Sequence, residues 1–166
     1  ISLGPALTFP SGWDELMYHV ELPRRWMNDG WLSIQTDLPY SALPSLSEIL
    51  FWLAAPVEHL ITPRLLSWVV WANGFCLLRE TLRHMAGTAI TTVWLSALIL
   101  SPIVLMIGAN CYVESFVWMD VAALGYLLFV RPEGSAPSEP AGNSDKRLAL
   151  AGIVLGGAIA TKVTCV

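Results

Sequence analysis

Apolar positions gather into four long runs, residues 62–82, 88–109, 112–130 and 148–166, separated by short polar or charged connections. A helix crosses the hydrocarbon core with about 20 predominantly apolar residues, so each run predicts a crossing. The first reaches that length only with Arg64 and Arg79 snorkelling outward from its ends. The third contains Glu114 and Asp120; six positions apart on a straight helix, they point to different faces. Asp120 then reads as a packing or hydrogen-bonding residue rather than a second catalytic acid. In the fourth, Gly152, Gly156 and Ala160 form a small-x-x-x-small face suited to close helix packing. Residues 131–147, rich in Pro, Gly, Ser and charge, predict a loop.

Ahead of these runs the pattern changes. Residues 1–10 read as the end of an earlier span or loop, and residues 11–61 as a mixed segment bearing short juxtamembrane helices. Trp13, Leu16, Met17 and Val20 are spaced for an amphipathic helix over 13–28, with Ser11 as cap and Asp14 and Glu15 in the first turn. Pro23 is expected to break or kink it, and Asn28-Asp29-Gly30 to turn the chain. Ser45-x-x-Glu48 reads as a capping box feeding residues 49–55, a stretch too short to span.

Composition agrees with this pattern. Of 166 residues 55% are hydrophobic and 13% charged, about half the usual charged share, too little polar surface for a water-soluble globule. The net charge of −4 comes without a basic stripe, so nothing points to nucleic acid. Cys76, Cys111 and Cys165 lack metal-ligand spacing and read as small apolar residues. The absence of an initial Met and the apolar run at the carboxy end are read as two cut ends.

Orientation follows from the short loops. Arg79 and Arg83 mark one, Arg131, Lys146 and Arg147 another, and these define the cytoplasmic side. Asp14, Glu15, Glu48 and Glu114 then share the opposite, extracytoplasmic side, where acids distant in sequence are free to converge. The stretch Trp13-Asp14-Glu15-Leu16-Met17-Tyr18-His19 places adjacent carboxylates beside a Tyr and a His. Such a set suits deprotonation of a hydroxyl or, with Glu15 and Glu48, retention of a divalent ion; a solvated helix start explains the same residues. His19 is open to roles as metal ligand, proton shuttle or structural hydrogen-bonding group. Lys162 and Arg24 are candidates to meet a phosphate; snorkelling and a solvated face are the alternatives.

The pattern W-D-E-L-x-Y-H-x-x-L-P-x-x-W, a Pro-rich turn, P-x-L-x-E-x-L-F, then Y-V-E and G-x-A-x-A-T-K resembles the amino-terminal half of bacterial GT-C glycosyltransferases. The relevant branch holds the protein O-mannosyltransferases and the lipid A aminoarabinose transferases, and the likeness runs from about Trp13 to Lys162. It implies an all-α, polytopic transmembrane bundle in the inner (plasma) membrane, and an inverting hexosyl or pentosyl transfer. The donor would be a polyprenyl-phosphate sugar and the acceptor a lipid, glycan or protein on the extracytoplasmic face. By that resemblance Asp14 is the base and Glu15 its pair. The resemblance also places Glu48 where a second carboxylate holds a metal or the acceptor, Glu114 where relatives show Asp after Tyr-Val, and Lys162 in a Thr-Lys pair. With Tyr18, His19 and Arg24 these are the substrate-binding candidates, and Glu15 and Glu48 the candidates for a metal. A transporter or a structural membrane subunit without catalytic activity is the other class the pattern allows.

Overall fold

A computed structural model describes residues 3–8, 15–38, 41–42, 46–54, 61–110, 112–130 and 142–161. Among these residues the chain is helical, with no strand. In chain order the elements are α1 (Leu3–Ala6), a π-helical turn (Glu15–His19), α2 (Glu21–Asp29) and α3 (Leu46–Ala54). They continue as α4 (Thr62–Ala86), α5 (Thr88–Leu100), α6 (Pro102–Ala109), α7 (Glu114–Phe129) and α8 (Gly142–Thr161). The centre of the bundle is α4 against α7, with α8 on the other side of α7 and α5–α6 returning beside α4.

Glycine lets the bundle close tightly. A Cβ on Gly74 would stand 2.4 Å from the Trp118 ring, and one on Gly108 would stand 2.6 Å from the Trp71 ring. Trp71, Phe75 and Trp118 stack in sequence, with ring centroids 4.8 and 5.0 Å apart. Val20 and Phe51 join Val70 and Phe116 in one apolar cluster, which fastens the early segment to α4 and α7. A second, smaller cluster of Leu22, Trp26 and Leu38 with Ile49 and Trp52 holds α2 to α3. At the far end of α7, Arg147 of α8 donates to the carbonyls of Tyr126, Leu127 and Val130, closing the helix terminus with a cation.

Several expectations change in three dimensions. Pro23 neither breaks nor kinks α2, because it stands in the first turn after Val20, where its missing N–H has no helical acceptor to lose. The interruption falls earlier, at the π-helical turn, and Gly30 ends α2 in the left-handed conformation at φ 70°. Run 88–109 is two helices bent by 69°, since Pro102 begins α6 and holds Ser101 extended at ψ 122°. Arg64 does not snorkel outward: it is 2% exposed and turned into the bundle. Residues 142–147, assigned to a loop, form the first turns of α8. Gly152 and Gly156 face open space, so the tight glycine packing lies at Gly74 and Gly108 instead. Ser45, the expected cap of α3, and residues 162–166 of the fourth run lie outside the described residues.

Among the described residues no single helix is long and apolar enough to cross a membrane; Thr88–Ile99 and Pro102–Ala109 together have the length and composition. The shortfall has local causes. Helix α4 has 25 residues but carries Arg79, Glu80 and Arg83 near its end. The 16 residues of α7 rise about 24 Å, under the roughly 30 Å of hydrocarbon. Asp145, Lys146 and Arg147 lower the apolar character of α8.

Candidate functional site

One end of the bundle gathers an unusual set of buried polar side chains. Glu15 and His19 come from the π-helical turn, Ser47 and Glu48 from α3, Arg64 and Ser67 from α4, and Ser115 from α7; all are buried. Burial of charge is tolerated only where partners replace water, and the partners are present. Arg64 Nε lies 3.0 Å from Glu15 Oε1 as an ion pair without hydrogen-bond alignment. Its other nitrogens donate to the Thr8 carbonyl at 2.5 Å, the Thr8 hydroxyl at 3.0 Å and Asn110 Oδ1 at 2.8 Å. One guanidinium thereby ties the segment before α2 to the first turn of α4 and the end of α6.

A second link runs beside it. His19 Nδ1 and Glu48 Oε1 are 2.6 Å apart, and because a carboxylate only accepts, the imidazole donates. The Ser47 hydroxyl donates to Glu48 Oε2 at 2.8 Å, so both carboxylate oxygens are engaged. Edge-on to His19 stands the Tyr112 ring, with centroids 6.3 Å apart, at the residue pair before α7. Backbone order supports this contact: the Ser67 hydroxyl donates to the Tyr112 carbonyl at 3.4 Å and the Ser115 hydroxyl to the Ile107 carbonyl at 3.3 Å.

Of the sequence-derived candidates, Glu15, His19 and Glu48 meet in this network. Tyr18 lies on the same turn, and Glu114 opens α7, partly buried, two residues after Tyr112. Asp14 and Lys162 lie outside the described residues. Arg24 sits apart, on the exposed side of α2, bound to both oxygens of Glu21 at 2.7 Å. These guanidinium contacts, Arg24 first and Arg25 beside it, hold the Glu21 carboxyl at about 2 against the opposing effect of burial. Asp120 lies on the α7 face toward α8, its Oδ2 4.0 Å from where a Gly157 Cβ would be. Among the described residues no group of three His, Cys, Asp or Glu side chains is placed to hold a metal ion.

Sequence reasoning missed Arg64, Asn110, Tyr112 and Ser47. For Arg64 a signal existed: an arginine directly after Pro63 at a helix start, inside an apolar stretch, is costly unless paired. Physically, the network is buried, and its polar groups face one another rather than solvent. Side chains 0–2% exposed, as Glu15, His19, Glu48 and Arg64 are, do not touch a solute in this conformation. What they do is fix the backbone beside them, at the π-helical turn and the starts of α3 and α4. No family model, curated protein or solved structure matches this chain.

Proposed function

We propose that this chain is the membrane-embedded part of a transferase that moves a sugar from a polyprenyl-phosphate donor to an extracytoplasmic acceptor hydroxyl. The observation that carries the reading is the meeting of Glu15, His19 and Glu48 with Arg64 and Tyr112 at one end of the bundle. Residues from 15 to 112 converge where the charge-based orientation puts the extracytoplasmic side. The membrane setting is supported by the outward face of α5–α8, where Val93, Leu100, Ile103 and Ile153 are each more than 60% exposed. Apolar surface of that extent is costly in water, at about 25 cal/mol per Å², and costs nothing in lipid.

In this reading Asp14 takes the proton of the acceptor hydroxyl as that oxygen attacks the anomeric carbon. The new C–O bond forms opposite the phosphate, the bond to the phosphate oxygen breaks, and the phosphate leaves with the electron pair, inverting the anomeric centre. Lys162 supplies positive charge to the departing anion. Glu15 and Arg64 are positioning residues: their ion pair anchors the chain next to Asp14. No step is assigned to a divalent ion.

One observation favours a second reading, a membrane subunit without catalysis: the network is paired and buried, as a purely structural fastening would be. Transfer of sugar from a polyprenyl-phosphate donor by the full-length protein separates the two. Asp14→Asn is expected to lower turnover by about 10²-fold or more, the scale of a lost general base, with donor binding retained. Unchanged turnover removes Asp14 from the mechanism.

A further inference from the structure

The helix that leads into α2 changes register at Val20. Upstream, the Val20 N–H donates five residues back, to the Glu15 carbonyl at 2.9 Å, and closes the π-helical turn. Downstream, the Arg24 N–H donates four residues back, to the Val20 carbonyl at 3.1 Å, as in an α-helix. Val20 itself lies in the right-handed helical region at φ −101° and ψ −41°, so the helical path runs through it without a break. The turn therefore takes up one residue more than an α-helix would. Single π turns inside α-helices are rare and concentrate at functional positions.

The two ends of this turn are held by different means. Val20 packs with Phe51, Val70 and Phe116, and His19 is hydrogen-bonded to Glu48 at 2.6 Å. Beyond them Leu22 and Trp26 fix α2 on α3 through Ile49 and Trp52. At the upstream end, Glu15 meets Arg64 at 3.0 Å in an ion pair without hydrogen-bond alignment. Leu16, between the two ends, is 47% exposed, so apolar packing does not set its register.

We propose that the π-helical turn is a register switch latched by Arg64. With Glu15 on Arg64 the turn is π-helical. When Glu15 leaves, the Val20 N–H exchanges the Glu15 carbonyl for that of Leu16, the acceptor an α-helix uses, and the turn joins α2 as one continuous helix. Each residue of an α-helix advances the chain by about 100°, so absorbing the extra residue rotates the backbone entering Glu15 by roughly that angle. Val20 is the pivot, and His19 stays with Glu48. The switch itself is independent of the transferase reading. Its use rests on that reading: the residue re-aimed is Asp14, which precedes Glu15 in the chain, and the latch then gates the base.

Double electron–electron resonance on the full chain tests the switch. Cys76, Cys111 and Cys165 are replaced by Ala, and spin labels are placed on Leu16→Cys and Asn28→Cys, both exposed positions. Arg64→Met with Glu15→Gln removes the latch and leaves neither charge buried alone. It is expected to shift the 16–28 distance by on the order of 4 Å, because a label about 5 Å from the helix axis swings with the turn. The same distance in the parent and in the folded double variant would overturn the latch. Deletion of Leu16 reads the register with every charge kept, since it makes Glu15 the fourth residue before Val20. Glu15 then stays on Arg64 in an α-helical turn, and the protein should melt within about 5 °C of the native chain. Melting as early as Arg64→Ala would mean that the deletion swung Glu15 away, as it does in an ordinary α-helix, and would overturn the register on which the switch is built. Neither readout measures sugar transfer, so failure of the transferase reading leaves both outcomes intact.

Discussion

Arg64 is the residue on which the polar end of the molecule depends most. It faces Glu15, Thr8 and Asn110 at once, and its removal takes a cationic partner from a carboxylate at zero exposure. Arg64→Ala is therefore expected to destabilise the fold by roughly 3–5 kcal/mol, the cost of a broken buried pair. Arg64→Met combined with Glu15→Gln should recover a large part, because neither buried charge remains; denaturant unfolding in detergent measures both. A double variant as unstable as Arg64→Ala would mean the pair is not what holds this end. Half-buried Glu21 behaves differently. Its carboxyl is lowered from 4.5 to about 2, first by the Arg24 hydrogen bond. A lowered folded-state value stabilises fully above about 4.5 and is lost as pH falls from there toward 2. Melting temperature against pH should show that loss in the native protein and a flatter curve in Glu21→Gln. At this scale the sequence pointed to Glu15, His19 and Glu48 as candidates, and the structure brings them to one end of the bundle. The sequence hid Arg64, since snorkelling is a rule about depth and knows nothing of a carboxylate arriving from residue 15.

Helices tell the same story through shape. Gly74 and Gly108 are the contacts that let two tryptophans come close to neighbouring helix backbone, and both rings are backed by Phe75. Gly74→Ala and Gly108→Ala are expected to cost about 1–3 kcal/mol each through overpacking. Gly152→Ala and Gly156→Ala face open space and should be neutral or stabilise by up to about 1 kcal/mol from helix propensity alone. Thermal unfolding of the four variants decides; equal effects would mean the glycines differ in nothing but backbone freedom. The small-x-x-x-small spacing in α8 was legible and pointed to the wrong helix. Spacing shows where close approach is allowed, whereas the large partner that uses it, Trp118 or Trp71, comes from a distant run. Pro102 was equally visible, yet apolar composition is continuous across it, so a hydropathy run of 88–109 conceals a 69° bend.

Across the whole molecule, the transferase proposal has one geometric requirement. Helix α4 has 25 residues, a rise of about 37 Å, which exceeds the roughly 30 Å hydrocarbon core. Its Arg64 end carries the buried network and the α2–α3 unit, and its other end carries exposed Arg79 and Arg83, the residue type retained on the cytoplasmic side. If α4 crosses, Thr36 and His84 face opposite compartments. With Cys76, Cys111 and Cys165 replaced by Ala, Thr36→Cys should react with a membrane-impermeant maleimide on intact cells, and His84→Cys only after permeabilisation. Both positions are exposed, so silence cannot be blamed on burial. Reaction of both from one side would mean that α4 lies along the bilayer or outside it. The network of Glu15, His19, Glu48 and Arg64 would then be the polar fastening of a peripheral helical protein, and a lipid-borne sugar would have no reason to arrive there.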